Sequence, residues 1–211
     1  MAEARGFQYE TAEHEADTAI SGMWLFLASE TLFFGGLIFV WLVLRLRYAD
    51  GLRLGVAHSN LTIGTINTAV LVTSSLALTM GVQRARAGRG RATALACLVT
   101  AGLGILFVAL KCLEWWKDLD DGLYPGQNFA LTGPHAAGAH LFWGWYWVAT
   151  VLHAVHMLGG VSLVLWIAWR ARRGDFSRAY STPADAVGLY WSFVDVIWLI
   201  LYPLIYVVAR P

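Results

Sequence analysis

The sequence predicts an all-α membrane protein, a bundle of five transmembrane helices. Apolar residues make up 58% of the 211 residues and charged residues 14%, about half the usual charged share of a globular domain. The 11 Trp and 21 Gly suit a membrane bundle, because aromatic rings anchor at the interfaces and Gly lets helices approach closely. Five long segments each contain at most one or two ionisable groups.

Each of these segments is long enough to cross a bilayer as a helix, whereas a transmembrane strand takes only about 9–11 residues and alternates in polarity. The net charge of +1 gives no support for nucleic-acid binding, and the composition excludes disorder, collagen and a disulfide scaffold. We predict an N-terminal cytoplasmic segment, 1–18, and a transmembrane domain, 19–211, with spans at about 19–44, 63–82, 93–113, 141–169 and 186–209.

Ionisable residues inside the spans are few, and each marks a candidate site because charge is costly at that depth. The first span is interrupted only by Glu30, the second by none, and the third is apolar through Leu110. The other ionisable groups in or beside the spans are Lys111, Glu114, His153, His156 and Asp195.

Lys and Arg residues are shared unequally between the two sides of the bundle. One side carries six, which are Arg45, Arg47, Arg53, Lys111, Lys117 and Arg210. The N-terminal side carries nine, which are Arg5, Arg84, Arg86, Arg89, Arg91, Arg170, Arg172, Arg173 and Arg178. The positive-inside rule therefore predicts a cytoplasmic N-terminus and a periplasmic C-terminus in a bacterial-type inner membrane. The run from Arg84 to Arg91 suits anionic lipid, although a simple topology determinant is the preferred interpretation.

The first span is expected to be a retained helix rather than a cleaved signal peptide. Residues 1–18 contain five acids and one Arg, the reverse of a basic leader segment. Small residues recur every seven positions in two spans and predict helix–helix seams, since they let backbones pack closely in lipid. These seam residues are Gly22, Ser29 and Gly36 in the first span, and Asn67, Ser74 and Gly81 in the second.

Glu30 lies roughly 16 Å into its helix, close to the bilayer midplane. It is either a proton-handling or lipid-headgroup site, or a neutral carboxyl that bonds a neighbouring helix and locks the bundle. His153 and His156 are three residues apart and share a helix face. A metal site would need Glu30 or Asp195 as well, so an inter-helix hydrogen-bond network is preferred. Asp195 is expected to pair with a His of the fourth span or with a neighbouring subunit.

At the outer end of the third span, Lys111 and Glu114 are three residues apart and are predicted to pair, with Lys111 snorkelling outward. The loop that follows is acidic, with Asp118, Asp120 and Asp121, and a solvated loop is its preferred interpretation. The His residues deep in the bilayer share one helix, whereas haem and haem–copper centres draw His from several. We therefore predict no metal site, no redox centre and no catalytic residue in this chain.

Four segments in series resemble the subunit III family of haem–copper respiratory oxidases. They are GMWLFLASETLFFGG (22–36), NTAVLVTSS (67–75), TVLHAVHMLG (150–159) and YWSFVDVIW (190–198). Lys111-Cys-Leu-Glu114-Trp resembles a further element of that family. Their order and spacing match the family from about residue 20 to residue 208.

The resemblance implies an accessory, non-redox subunit of a proton-pumping terminal oxidase that reduces oxygen to water. Such a subunit packs on subunit I, shares a complex with subunit II, binds phospholipid and supports proton uptake, while haem and copper reside in the partners. Glu30 matches the family's buried carboxylate, His153 and His156 its His pair, and Asp195 the acid of its last-helix motif. The acidic outer loop favours a basic donor such as cytochrome c.

The sequence departs from the long, seven-helix form of the family, because the first two helices are lacking. The lipid-holding cleft beside those helices is expected to be missing or completed by another chain. Ser192 stands where the family usually has His, and Val151 where it usually has Gly. The third subunit of a quinol oxidase and the related protein of a nitric oxide reductase are alternatives. A stand-alone transporter or proton channel is a remote one, since Pro203 is the only Pro in a span and no inverted repeat is visible.

Overall fold

The structure is a computed structural model that describes residues 12–177 and 180–210. These residues form no strand and six α-helices: α1 (Ala12–Arg47), α2 (Ala49–Ala57), α3 (Leu61–Arg86), α4 (Gly90–Asp120), α5 (Ala136–Arg173) and α6 (Thr182–Tyr206). Most of the predicted N-terminal segment, with Arg5, lies outside the described residues, as does Arg178.

Five of these helices, α1, α3, α4, α5 and α6, are long and apolar enough to cross a membrane. The shortest, α6, has 25 residues. At about 1.5 Å per residue this length exceeds the roughly 30 Å of the hydrocarbon core. The prediction of an all-α chain with five spans is confirmed, and the chain is a multi-pass membrane protein.

The helices extend past most of the predicted span limits, because the polar residues at the membrane surface continue the helix. The largest extensions are at the start of α1, which begins at Ala12, and at the end of α4, which runs on to Asp120. Helix α6 instead ends before residue 209, at Tyr206. The Pro203 carbonyl accepts hydrogen bonds from the amides of Val207 and Val208, at 3.0 and 2.8 Å, and these bonds close the helix.

The short helix α2 was not predicted from the sequence, because Asp50 and Arg53 gave its segment the polarity of a loop. It packs on the start of α5 through an unusually close backbone contact. A Cβ added to Gly51 would lie 2.5 Å from the Cα of Gly138. Leu52 is fully buried as a result of this contact.

From α3 onward, helices that follow one another along the chain are also neighbours in space. Helix α3 packs against α4 and α6, α4 against α5, and α5 against α6, while α1 packs on α5 and α6. The core between them contains large, fully buried aromatic side chains, which include Trp41, Trp143, Trp191, Trp198, Tyr146 and Tyr206. Helix α1 is the most exposed of the spans, with large apolar side chains that face away from the bundle, which include Leu25, Leu32, Phe39 and Leu46.

Candidate functional site

Glu30 of α1 and His156 of α5 form a direct side-chain pair near the middle of the bundle. The Oε2 atom of Glu30 lies 3.1 Å from Nε2 of His156. The Nδ1 atom of the same ring lies 2.8 Å from the Leu152 carbonyl oxygen, which can only accept, so Nδ1 carries a hydrogen. One proton therefore occupies the contact between Glu30 and His156, and the pair is neutral whichever group holds it.

The pair lies where α1, α5 and α6 meet, and it is open on one side. The side chains of His156 and Glu30 are 17% and 20% exposed, respectively. The ring of Phe34 packs edge-on against the imidazole at 5.2 Å. Tyr190 of α6 donates a hydrogen bond to the His156 carbonyl at 3.0 Å. An apolar, aromatic surrounding of this kind strengthens the hydrogen bond, because little water competes for it.

A second polar cluster, which we call the lysine cluster, joins α4, α5 and α6. Lys111 donates to the Glu114 carboxylate at 3.2 Å, to the Tyr146 hydroxyl at 3.0 Å and to the Tyr206 hydroxyl at 2.9 Å. All three ammonium hydrogens thus have an acceptor. Tyr206 donates to Glu114 at 2.6 Å, and Tyr146 donates to Asp118 at 2.6 Å.

The sequence predicted that Lys111 snorkels outward, and this prediction is wrong. Only 1% of its side chain is exposed, because it turns inward toward Glu114, which is equally buried. The ammonium nitrogen also lies 4.5 Å from the centre of the Tyr146 ring, so a cation–π contact adds to the hydrogen bonds.

Asp118, Tyr146 and Tyr206 belong to the lysine cluster, although sequence reasoning missed all three. Asp118 is 4% exposed and lies in the last turn of α4, not in a solvated loop. A signal was available, because Asp118 follows Glu114 by four residues and Lys111 by seven, which puts all three on one helix face. The tyrosines gave no such signal, since their partners lie on another helix.

His153 does not join the pair formed by Glu30 and His156. Its ring is enclosed between Phe107, at 5.6 Å, and Trp198, at 5.0 Å, and neither ring nitrogen has a hydrogen-bond partner among the described residues. The two histidines therefore point to different neighbours, because a step of three residues rotates a side chain by about 60° around the helix.

Asp195 is also buried, and neither carboxyl oxygen has a partner in the described part of the chain. It lies on the face of α6 that meets α3, because hydrogen bonds to α3 flank it on both sides. Trp191 donates to Ser74 at 3.2 Å, and Trp198 donates to Thr68 at 3.0 Å. The expected hydrogen bond from Asp195 to a His of α5 does not form. Of the predicted network, only Glu30 and His156 are in direct contact.

The family model for cytochrome c oxidase subunit III matches residues 7–210. The chain belongs to the cytochrome c oxidase subunit III family. It is 30% identical over 200 residues to cytochrome c oxidase subunit 3 of Thermostichus vulcanus. That alignment covers 94% of this chain and 92% of the relative. It is 29% identical to cytochrome c oxidase subunit 3 of a Synechocystis species, over 90% of this chain and 76% of that one.

A third relative in this family is a fusion. The haem–copper oxidase subunit I+III of Aeropyrum pernix is 26% identical over 91% of this chain, which covers 23% of that protein. The resemblance stated from the sequence is confirmed by the family model and by these relatives.

Ser192, where the family usually has His, lies at a cavity between α1, α3 and α6. The cavity measures about 750 Å³, and Ser21, Ser75, Arg86 and Asp185 also line it. A serine at this position leaves room that a larger imidazole would occupy. The other departure from the family pattern, Val151, lies on the exposed surface of α5.

The two small-residue stripes have different positions in this subunit III fold. Asn67, Ser74 and Gly81 are buried on α3, and a Cβ added to Gly81 would lie 3.1 Å from the Ala96 Cβ of α4. Gly22, Ser29 and Gly36 are exposed, so they are not a seam between helices of this chain. Helix α1 packs instead through larger residues at the same seven-residue spacing, which are Leu27, Phe34 and Trp41.

This difference predicts different effects for two glycine substitutions. Gly36→Ala is expected to raise the stability of the chain by up to about 1 kcal/mol, because Ala favours a helix and the added methyl meets no other atom within 4 Å. Gly81→Ala gains no stability, since its methyl crowds Ala96. Thermal unfolding of the purified chain in mild detergent, followed by circular dichroism, compares the two, and a larger gain for Gly81→Ala would contradict this assignment.

The described residues contain no group of three or more His, Cys, Asp or Glu side chains arranged to hold a metal ion. Among the described residues, Glu30 contacts His156, whereas His153 packs against Trp198 and Asp195 has no hydrogen-bond partner.

Proposed function

We propose that the chain is an accessory, non-redox subunit III of a proton-pumping terminal oxidase that passes electrons from cytochrome c to oxygen. Haem and copper belong to the partner subunits in this proposal. Family membership supports it, and the names of the relatives favour cytochrome c over quinol or nitric oxide reductase partners. Membership in this family also argues against a stand-alone transporter or proton channel.

Subunit I is the main partner in this proposal, with subunit II in the same complex. The fused relative supports this choice, because its name joins subunits I and III in one polypeptide. Two parts of one chain are synthesised together and reach the same complex. A cytochrome c donor is placed near the outer end of α4, where Asp120 and Asp121 are exposed.

The proposed orientation places the N-terminus in the cytoplasm and the C-terminus in the periplasm of a bacterial-type inner membrane. An odd number of spans puts the two ends of the chain on opposite sides. The turn between α3 and α4 and the end of α5 lie on the same side as the start of α1, and they carry most of the arginines.

The pair of Glu30 and His156 is the observation that carries the functional proposal. It holds one proton near the middle of the membrane, and both side chains are partly exposed at the lateral surface of the bundle. Movement of that proton from Glu30 to His156 turns two neutral groups into a hydrogen-bonded ion pair, which costs less in a low-dielectric surrounding than either charge would alone. We assign to this pair the support of proton uptake by the complex and the contact with a bound phospholipid.

Substitution of Glu30 tests this role. Glu30→Ala is expected to leave the complex assembled but to shorten several-fold the time over which the complex sustains oxygen consumption. It is also expected to lower the amount of phospholipid bound to the complex. Thr31→Ala is a matched control one residue away, because within the described residues the Thr31 hydroxyl bonds only to the Leu27 carbonyl of its own helix. If the Glu30→Ala complex sustains oxygen consumption as long as the wild type and keeps as much bound phospholipid, Glu30 does not have this role.

The membership of the complex has a separate test. Affinity purification of this chain in mild detergent, followed by a visible spectrum and mass spectrometry, is expected to yield the haem–copper subunits I and II. A colourless chain that purifies alone would overturn the accessory role, whatever the result for Glu30.

A further inference from the structure

Three polar side chains in the core have no hydrogen-bond partner among the described residues, and we call them the polar trio. Both amide atoms of Asn67, both ring nitrogens of His153 and both carboxyl oxygens of Asp195 are buried in this way. These residues are only 0%, 1% and 6% exposed, respectively. They belong to α3, α5 and α6, so each of these helices carries one unsatisfied group into the bundle.

The members of the polar trio lie around Trp198. The ring of His153 lies 5.0 Å from the Trp198 ring, between the ring centres. The indole N–H of Trp198 donates to Thr68, the residue next to Asn67, at 3.0 Å. Asp195 precedes Trp198 by three residues, which is about 4.5 Å along the helix axis. All three members therefore lie within about one helical turn of the same level of the bundle.

Bulky side chains enclose this level of the bundle. Leu71, Phe107, Trp191 and Trp198 are each at most 1% exposed. Trp191 and Trp198 hold α6 on α3 to either side of Asp195, through hydrogen bonds of 3.2 and 3.0 Å to hydroxyl groups of α3. A lipid or a side chain of another subunit could not enter without separating these helices. A water molecule, whose share of liquid volume is about 30 Å³, is small enough to enter.

The six unpaired atoms of the polar trio are costly inside a membrane, because lipid tails supply no hydrogen bonds. Buried polar groups are otherwise paired with the protein or with ordered water. The trio also offers both kinds of partner that water needs. Asn67 has N–H donors and a carbonyl acceptor, and the imidazole of His153 has at least one N–H donor. The carboxyl of Asp195 adds acceptor oxygens, and a buried water typically makes about three hydrogen bonds.

We propose that ordered water binds in the core between α3, α5 and α6 and bridges Asn67, His153 and Asp195. The water joins three helices through polar groups that do not bond to one another directly. Neither the pair of Glu30 and His156 nor the lysine cluster includes a member of the polar trio, so this is a separate site. It concerns how the chain holds its own helices together, and it is independent of the proposed role in an oxidase.

The direction of a stability change tests the proposal. Asn67→Leu replaces the amide by an apolar group of similar size. For an amide with no partner, this change would remove a desolvation penalty and raise the midpoint of thermal unfolding. For an amide that binds water, the change takes a partner from the water and lowers the midpoint. We expect the midpoint of the full chain in mild detergent to fall by a few degrees, and a rise would overturn the proposal.

A double-mutant cycle tests whether two members share the same water. Asn67→Leu and Asp195→Leu are expected to lower the midpoint together by clearly less than the sum of their separate effects, because either change alone disrupts the shared water. Cys97→Ala replaces Asp195→Leu in the control cycle. Cys97 is buried beside Gly81, about 21 Å along α3 from Asn67, so its effect is expected to add to that of Asn67→Leu. Additive effects in both cycles would overturn the shared site.

Direct observation completes the test, since a change in stability alone could arise from packing. An electron cryo-microscopy map of the native complex, at a resolution that shows ordered water, is expected to contain water within hydrogen-bond distance of each member of the polar trio. A map with no water beside the trio would overturn the proposal. So would a direct hydrogen bond between Asn67 and Asp195, or a metal ion at this position identified by elemental analysis and anomalous scattering.

Discussion

Lys111→Met is expected to destabilise the chain more than any other single substitution we consider, by about 3–5 kcal/mol. Methionine approximates the length of the side chain and fills its space, but it leaves the carboxyls of Glu114 and Asp118 buried without a counter-ion. The tyrosine hydroxyls that accept from Lys111 lose that donor as well. Breaking a buried pair on one side costs far more than removing both partners, because a buried charge is left uncompensated.

The measurement is thermal and denaturant unfolding of the purified chain in mild detergent. Lys117→Met is the matched control, because Lys117 is exposed on the same helix and its loss is expected to change stability by less than about 0.5 kcal/mol. The double variant Lys111→Met with Glu114→Gln is expected to recover part of the loss, since it removes the most directly paired carboxylate. A Lys111→Met chain as stable as the Lys117→Met chain would show that the lysine cluster does not hold α4, α5 and α6 together.

The sequence predicted the spans well because membrane insertion depends on the segment itself. A helix in lipid satisfies its own backbone hydrogen bonds, so length and apolar content almost decide it. Because α2 depends on a contact with another helix rather than on its own sequence, the same approach did not predict it. That helix is short and carries Asp50 and Arg53, and what stabilises it is the contact of Gly51 with α5, which no local pattern reveals.

The candidate site was predictable only in part, because the sequence gives periodicity but not neighbours. Glu30 and His156 were both recognised from their depth and type, and the structure places them in contact. His153 was grouped with them by spacing alone, yet its ring faces Phe107 and Trp198. The stripe of Gly22, Ser29 and Gly36 has the same spacing as the packed face of α1. Spacing alone could not say which face would meet the bundle.

Gly138→Ala is expected to have the second-largest effect, with a loss of about 1–3 kcal/mol and displacement of α2. The added methyl would lie 2.9 Å from the Cα of Gly51 and 2.9 Å from the Cβ of Tyr48. Neither neighbour is the free end of a flexible side chain, so the backbone of α2 must move. Leu52 would then lose part of its burial in the core.

Gly144→Ala in the same helix is the matched control. Its methyl would meet only Pro125, at 4.0 Å, so the helix preference of Ala is expected to stabilise the chain by up to about 1 kcal/mol. Unfolding in mild detergent measures both changes, and limited proteolysis at Arg53 reports whether α2 has left α5. If the two variants are equally stable and Arg53 is equally resistant to proteolysis in both, α2 tolerates a shift. The contact between Gly51 and Gly138 would then not be what holds α2 against α5. Because α2 and α5 meet backbone to backbone, we expect the two variants to change stability in opposite directions.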